Sequence, residues 1–133
     1  MASDDRLAAF VDSSAIVALV DEDDSAHSAA VEAYRELSSL GYRLFTTDHV
    51  VVEAYDLLLN GVGPVVAAAW LGAQKLPVYC SDEADLGAAQ AILAARPADS
   101  PVSFTDAISL AVMERLGVAD AFAVDPAFLN ALS

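Results

Sequence analysis

Residues 7–20 read LAAFVDSSAIVALV, and this stretch decides the fold. An apolar run from Leu7 to Val11 stops at Asp12, Ser13 and Ser14 offer capping hydroxyls, and apolar residues resume from Ala15 to Val20. Strand, turn and helix follow in that order. Working outward, the alternation returns. A polar loop at 21–25 leads to a helix whose face carries Ala26, Ala29, Ala30, Ala33, Leu37 and Leu40, closed by Gly41. Residues 43–45 form a strand, and Thr46, Thr47 and Asp48 supply cap chemistry for a helix over 49–59 that Asn60-Gly61 stops. Gly63-Pro64 restarts a helix through Gln74, a strand over 76–80 follows, and Ser81 caps an alanine-rich helix to Arg96. After a loop at 97–101, Ser103 opens a helix that reaches Leu116 and ends at Gly117, and 121–124 is the last strand. Cys80, beside Val78 and Tyr79, reads as a buried strand residue. Strands alternating with helices across 1–133 specify one α/β domain, a parallel sheet flanked by helices.

Composition narrows the function classes. A chain of 133 residues suits one domain. Hydrophobic residues make up 56%, yet no apolar run nears the ~20 residues of a membrane span, and the 62–71 stretch is broken by Gly63 and Pro64. No basic segment followed by an apolar core opens the chain, so a soluble cytoplasmic protein without a membrane partner is expected. A single cysteine excludes an internal disulfide framework and any multi-cysteine metal cluster. Twenty acidic against six basic residues give a net charge of −14, and Lys75 is the sole lysine. Such a surface repels polyanions in ordinary buffer but tolerates itself when concentrated salt cuts the Debye length to about 3 Å. It has the look of a halophile's surface. An acidic protein awaiting a basic partner is the other reading, and the two are compatible.

Sites in open α/β sheets lie beyond the carboxyl ends of the strands. Asp12 ends the first strand and Asp125 the last, so parallel neighbours would project both at one rim. Asp106 stands in the first turn of the helix opened by Ser103, and Glu53 interrupts a partly apolar stripe with Val50 and Leu57. Each has an innocent explanation. Ser103-x-x-Asp106 is a capping-box pattern, Asp12 and Asp125 suit turns after strands, and Glu53 could reach solvent from a helix flank.

Four segments come in a telling order: Phe10-Val11-Asp12-Ser13-Ser14-Ala15, Thr46-Thr47-Asp48-His49-Val50-Val51-Val52-Glu53-Ala54, Ser103-Phe104-Thr105-Asp106-Ala107-Ile108-Ser109-Leu110-Ala111, and Phe122-Ala123-Val124-Asp125. In these the chain resembles the PIN-domain ribonucleases, particularly the VapC-type toxins of toxin-antitoxin pairs, over nearly its whole length. His27 ahead of Ala30 also fits the family. The resemblance implies a PIN-like fold in which Asp12, Glu53, Asp106 and Asp125 form an acidic pocket binding Mg²⁺ or Mn²⁺, with Ser13 and Thr105 as supporting hydroxyls. It implies hydrolysis of RNA phosphodiester bonds by a metal-activated water, inhibition by a small cognate antitoxin, and homodimers. The exposed helix face over 65–71 could serve such a dimer or could equally be core.

The chemistry agrees. Two unit charges about 5 Å apart repel by roughly 3 kcal/mol at an effective dielectric of 20, so four gathered carboxylates need protons or cations. All-oxygen sites suit hard divalent ions, whereas zinc favours His or Cys. One departure stands out: family members often carry a basic or histidine residue after the last acid, but this chain reads Asp125-Pro126-Ala127-Phe128 and ends at Ser133. A catalytically weakened or inactive PIN module that binds a partner is therefore the alternative. His49 could contact substrate or could be a solvated helix-start residue. A phosphoacceptor receiver domain would need a lysine at the end of a late strand, and Lys75 precedes a middle one.

Overall fold

The computed structural model describes residues 7–132. In chain order it contains β1 (Ala8–Val11), α1 (Ser13–Val20), α2 (His27–Ser39), β2 (Arg43–Thr47), α3 (Asp48–Gly61) and α4 (Pro64–Ala73), then β3 (Val78–Tyr79), α5 (Glu83–Ala94), α6 (Phe104–Leu116), β4 (Asp120–Phe122) and α7 (Pro126–Ala131). All strand pairs are parallel, in the order β3-β2-β1-β4, so the expected α/β fold with a helix-flanked parallel sheet is what forms. The chain steps from β1 outward to β2 and β3, then crosses back to place β4 on the other side of β1. That reversal sets the carboxyl ends of β1 and β4 side by side, with Asp12 and the segment leading to Asp125 beyond them.

Phe10 sits at the middle of β1, opposite Phe45 of β2 and Ala121 of β4, and is fully buried. Its ring meets Phe45 edge-on at 5.9 Å and Phe128 of α7 at 6.0 Å. Ile16, Val50, Ala54, Met113 and Phe122 complete this core from both faces. A second cluster, Ala89, Val102, Ala107, Ile108, Ala111 and Val112, joins α5 to α6, where alanines let the helix axes come close. Two threonines position the site. Thr47 closes β2 and caps α3 by accepting the Val50 N–H at 3.1 Å, while Thr46 Oγ1 donates to the Val11 carbonyl at 2.8 Å and ties the two strand ends together. Gly117 ends α6 at φ +68, a left-handed C-cap open to glycine.

Several boundaries differ from the sequence reading, each for a local reason. Asp12, not Ser13 or Ser14, is the N-cap of α1, because its carboxylate accepts the Ser14 N–H. Asp82, not Ser81, caps α5 through a reciprocal box with Asp85. β3 is two residues long at the sheet edge, so Cys80 falls beyond it and is exposed rather than buried. β4 ends at Phe122, three residues before Asp125, and a short helix unseen in the sequence follows. Asp125 is its N-cap and Pro126 its first residue, a position for which proline is pre-set. Among the described residues no helix is long and apolar enough to cross a membrane.

Candidate active site

Asp12 follows β1 directly and is 2% exposed. Its Oδ2 accepts from the Ser14 N–H at 3.2 Å and from Ser14 Oγ at 2.6 Å. Its Oδ1 is buried with no hydrogen-bond partner, a costly arrangement for a carboxylate. Ser14 Oγ also accepts the backbone N–H groups of Val124 at 3.0 Å and Asp125 at 3.2 Å. One hydroxyl thus fastens Asp12 to the segment between β4 and α7, and the Asp12 N–H to Phe122 carbonyl bond at 3.0 Å closes the same seam.

Glu53 reaches the same place from the second turn of α3. Ser13 Oγ donates to its Oε1, and the Thr105 hydroxyl bonds its carboxylate as well. Asp106 enters from the first turn of α6, 7% exposed, with its Oδ2 accepting the Ser103 N–H at 3.2 Å. The three carboxylates feel one another. Burial above all, and then the Asp106 charge, push the Asp12 carboxyl above the usual range against its Ser14 bonds. Burial, with the Asp12 and Asp106 charges, does the same to Glu53 against the Ser13 and Thr105 bonds.

Of the residues singled out in the sequence, the fold therefore brings Asp12, Glu53 and Asp106 together, with Ser13 and Thr105 on Glu53. Asp125 joins through its backbone N–H on Ser14 Oγ, while its Oδ1 accepts the Ala127 N–H at 3.3 Å, and its charge is not among the main causes of the Asp12 and Glu53 shifts. Among the described residues no three His, Cys, Asp or Glu side chains form a ready coordination shell. Each carboxylate is turned in part toward a local donor, and the oxygens left over among the described residues include Asp12 Oδ1, Asp106 Oδ1 and Asp125 Oδ2. Sequence reasoning missed Ser14 as the bridge, since an N-cap serine looks the same whether or not a distant amide uses it. It also missed Asp48, whose Oδ1 accepts from Ser81 N–H at 3.1 Å and Ser81 Oγ at 3.0 Å and lies 3.2 Å from His49 Nδ1.

Comparison with known proteins agrees with this fold. The crystal structure of Mycobacterium tuberculosis VapC20, a Sarcin-Ricin loop cleaving toxin, superposes with a TM-score of 0.77 at 30% identity, covering 92% of this chain and 93% of that one. No curated protein sequence matches the chain. The PIN domain profile matches residues 9–131, from the middle of β1 to the end of α7, and the chain belongs to the PIN domain family.

Proposed function

We propose that the protein is a Mg²⁺- or Mn²⁺-dependent endoribonuclease, the toxin of a toxin-antitoxin pair, working through Asp12, Glu53, Asp106 and Asp125. The observation that carries this is the buried, unpartnered Oδ1 of Asp12 beside two further carboxylates drawn from α3 and α6. VapC20, similar along nearly its whole length, is described as a Sarcin-Ricin loop cleaving toxin, which favours RNA as the substrate class here.

The donor set fits a hard divalent ion. Every available atom is a carboxylate or hydroxyl oxygen, and magnesium commonly takes one or two carboxylates and keeps several waters. A complete protein shell is thus not required. Asp12 and Asp106 would hold the ion, with Asp125 at the rim. When bound, such an ion lowers the pKa of a coordinated water and offsets charge on the phosphoryl oxygens. Glu53, its proton affinity raised by burial and by its neighbours, is suited to accept the proton of the attacking water while Ser13 and Thr105 hold it in place. Ser14 keeps Asp12 facing the pocket and holds Asp125 beside it.

Pro126, the feature that spoke for an inactive module, serves as the first residue of α7, which seats Phe128 in the core. The partners of this reading are an RNA substrate, a small antitoxin presenting Arg or Lys to the pocket, and a second copy of the chain. With a net charge of −14, cleavage should rise with salt as repulsion of RNA is screened. An RNA-cleavage assay in Mg²⁺ or Mn²⁺ across low and multimolar KCl tests this. Loss of cleavage in EDTA supports it, and undiminished cleavage in EDTA at low salt overturns it.

A further inference from the structure

Beside the acids, a groove runs along α3, lined by His49, Val52, Glu53, Leu57 and Asn60, with Thr105 of α6 across it. We propose that this groove seats the base and ribose of a nucleotide flanking the scissile bond, recognised by hydrogen bonds and apolar contact rather than by charge, with His49 and Asn60 setting the nucleotide preference. The proposal rests on the ribonuclease reading above.

Three observations carry it. Glu53 and Thr105 belong to both the groove and the acidic pocket, so an RNA strand with its phosphate at the acids has this groove at hand for a neighbouring nucleotide. Next, no described Lys or Arg lines the groove, and Asp56 adds a second carboxylate, so the groove's own residues repel a phosphate. What it offers is apolar surface, with Val52 62% and Leu57 46% exposed, together with an amide and an imidazole. That combination suits an unstacked base of single-stranded RNA, whose edge a side-chain amide can both donate to and accept from.

The third observation is that the imidazole is already set. Burial would raise the Asp48 carboxyl, but the Ser81 amide and hydroxyl and His49 together carry it below the usual range, so it is ionised and only accepts. Ser81 Oγ spends its hydrogen on Asp48 at 3.0 Å and lies 2.8 Å from His49 Nδ1. Nδ1 therefore carries the hydrogen, shared between Ser81 Oγ and Asp48 Oδ1, and Nε2 is left without a partner among the described residues. A ring held on one side loses little freedom when its other nitrogen binds.

The test uses the purified full chain with Mg²⁺ and a single-stranded RNA pool of randomised centre, with cleavage products sequenced and kinetics measured on one cleaved sequence. The parent should show a nucleotide bias at one flanking position. His49→Ala and Asn60→Ala should each flatten that bias and raise KM about tenfold with kcat within about twofold and an unchanged thermal midpoint. The Asn60→Ala effect should be the same at low and multimolar KCl, because no charge is lost. An unaltered bias and KM in both variants overturns the subsite while leaving the nuclease intact. A shift in oligomeric mass of Leu57→Ala with the cleavage pattern preserved also overturns it, assigning the face to a protein contact. A parent that cleaves no RNA with either metal removes the ribonuclease reading as well.

Discussion

Helices α5 and α6 begin with the same device and end up doing opposite things with it. In α5, Asp82 Oδ1 accepts the Asp85 N–H and Asp85 Oδ2 accepts the Asp82 N–H, both at 3.0 Å. In α6, Ser103 Oγ accepts the Asp106 N–H at 3.1 Å and Asp106 Oδ2 returns the bond to the Ser103 N–H at 3.2 Å. Both third-position acids are buried, 1% and 7% exposed. The difference lies in what else each carboxylate meets. Asp85 takes the Arg115 guanidinium at 3.0 Å on Oδ1 and the Tyr79 hydroxyl at 3.0 Å on Oδ2. Burial alone would raise its carboxyl, but the Asp82 amide, Arg115 and Tyr79 carry it below the usual range. Among the described residues no cation pairs with Asp106 and none donates to its Oδ1; its charge raises both Asp12 and Glu53. A cap accounts for an acid's presence at a helix start. It leaves open what the remaining oxygen does, and that oxygen separates a clamp from a reaction centre.

The sharpest way to break this contrast is to neutralise each acid in turn. Asp106→Asn keeps an oxygen for the Ser103 N–H while removing a charge from the pocket. RNA cleavage should fall by about 10³-fold or more, with the thermal midpoint unchanged or raised in metal-free buffer. Asp85→Asn should do the reverse, lowering the midpoint by about 5 °C while cleavage per folded molecule stays within about twofold. Paired kinetics and melting curves decide the matter. Equal loss of activity in the two variants would mean that the caps, not the free oxygens, control the site.

The contrast also shows how far the sequence could be read. The alternation of strands and helices, and the carboxylates near strand ends, follow from local patterns that a single chain exposes. Asp12, Glu53 and Asp106 could be named, but their convergence depends on α3 packing against both α1 and α6, which no local pattern encodes. Asp85 went unnoticed for a related reason. It sits one box away from Asp106 in kind, and only the 30-residue reach to Arg115 separates their roles. α7 was missed because six residues are too few for a period to show, although Asp125-Pro126 is a cap followed by a first-turn proline. Cys80 was placed inside because apolar neighbours imply a buried strand, whereas at a sheet edge only two residues pair. Ser14 could not be told from an ordinary cap, since its partners Val124 and Asp125 lie 110 and 111 residues away.

Metal addition should separate the two acid sites next. At roughly a hundredfold excess over Kd, an ion that binds only the folded chain stabilises it by about 2.7 kcal/mol, which for a domain of this size is on the order of 10 °C in midpoint. Calorimetry with Mg²⁺ or Mn²⁺ at fixed ionic strength should show that rise in the parent and in Asp85→Asn. It should be nearly absent in Asp12→Asn. A smaller effect is expected from Ser14→Ala, which leaves every carboxylate in place but releases the Asp12 and Asp125 seam. Cleavage should lose about tenfold in kcat with KM little changed, because orientation rather than RNA contact is affected. A change confined to KM would assign Ser14 to substrate binding instead.

Acid titration of stability gives the smallest and most direct reading of the two environments, because their linkage has opposite sign. The Asp12 and Glu53 carboxyls are raised in the folded chain, so above their folded values they oppose folding, and protonating them as pH falls from neutral relieves that opposition. Asp85 is lowered, so its stabilisation is fully present above the ordinary carboxylate value and is lost as pH falls through its folded value. In chelator, denaturant unfolding should therefore show stability rising on mild acidification and falling on stronger acidification. Asp12→Asn should flatten the rise and leave the fall, whereas Asp85→Asn should leave the rise and weaken the fall. Saturating Mg²⁺ should turn the mild-acid limb over, since protons and the ion then compete for the same oxygens while the Asp85 limb stays where it was. If the ion shifts both limbs alike, the two boxes share one electrostatic environment and the distinction between clamp and reaction centre is lost.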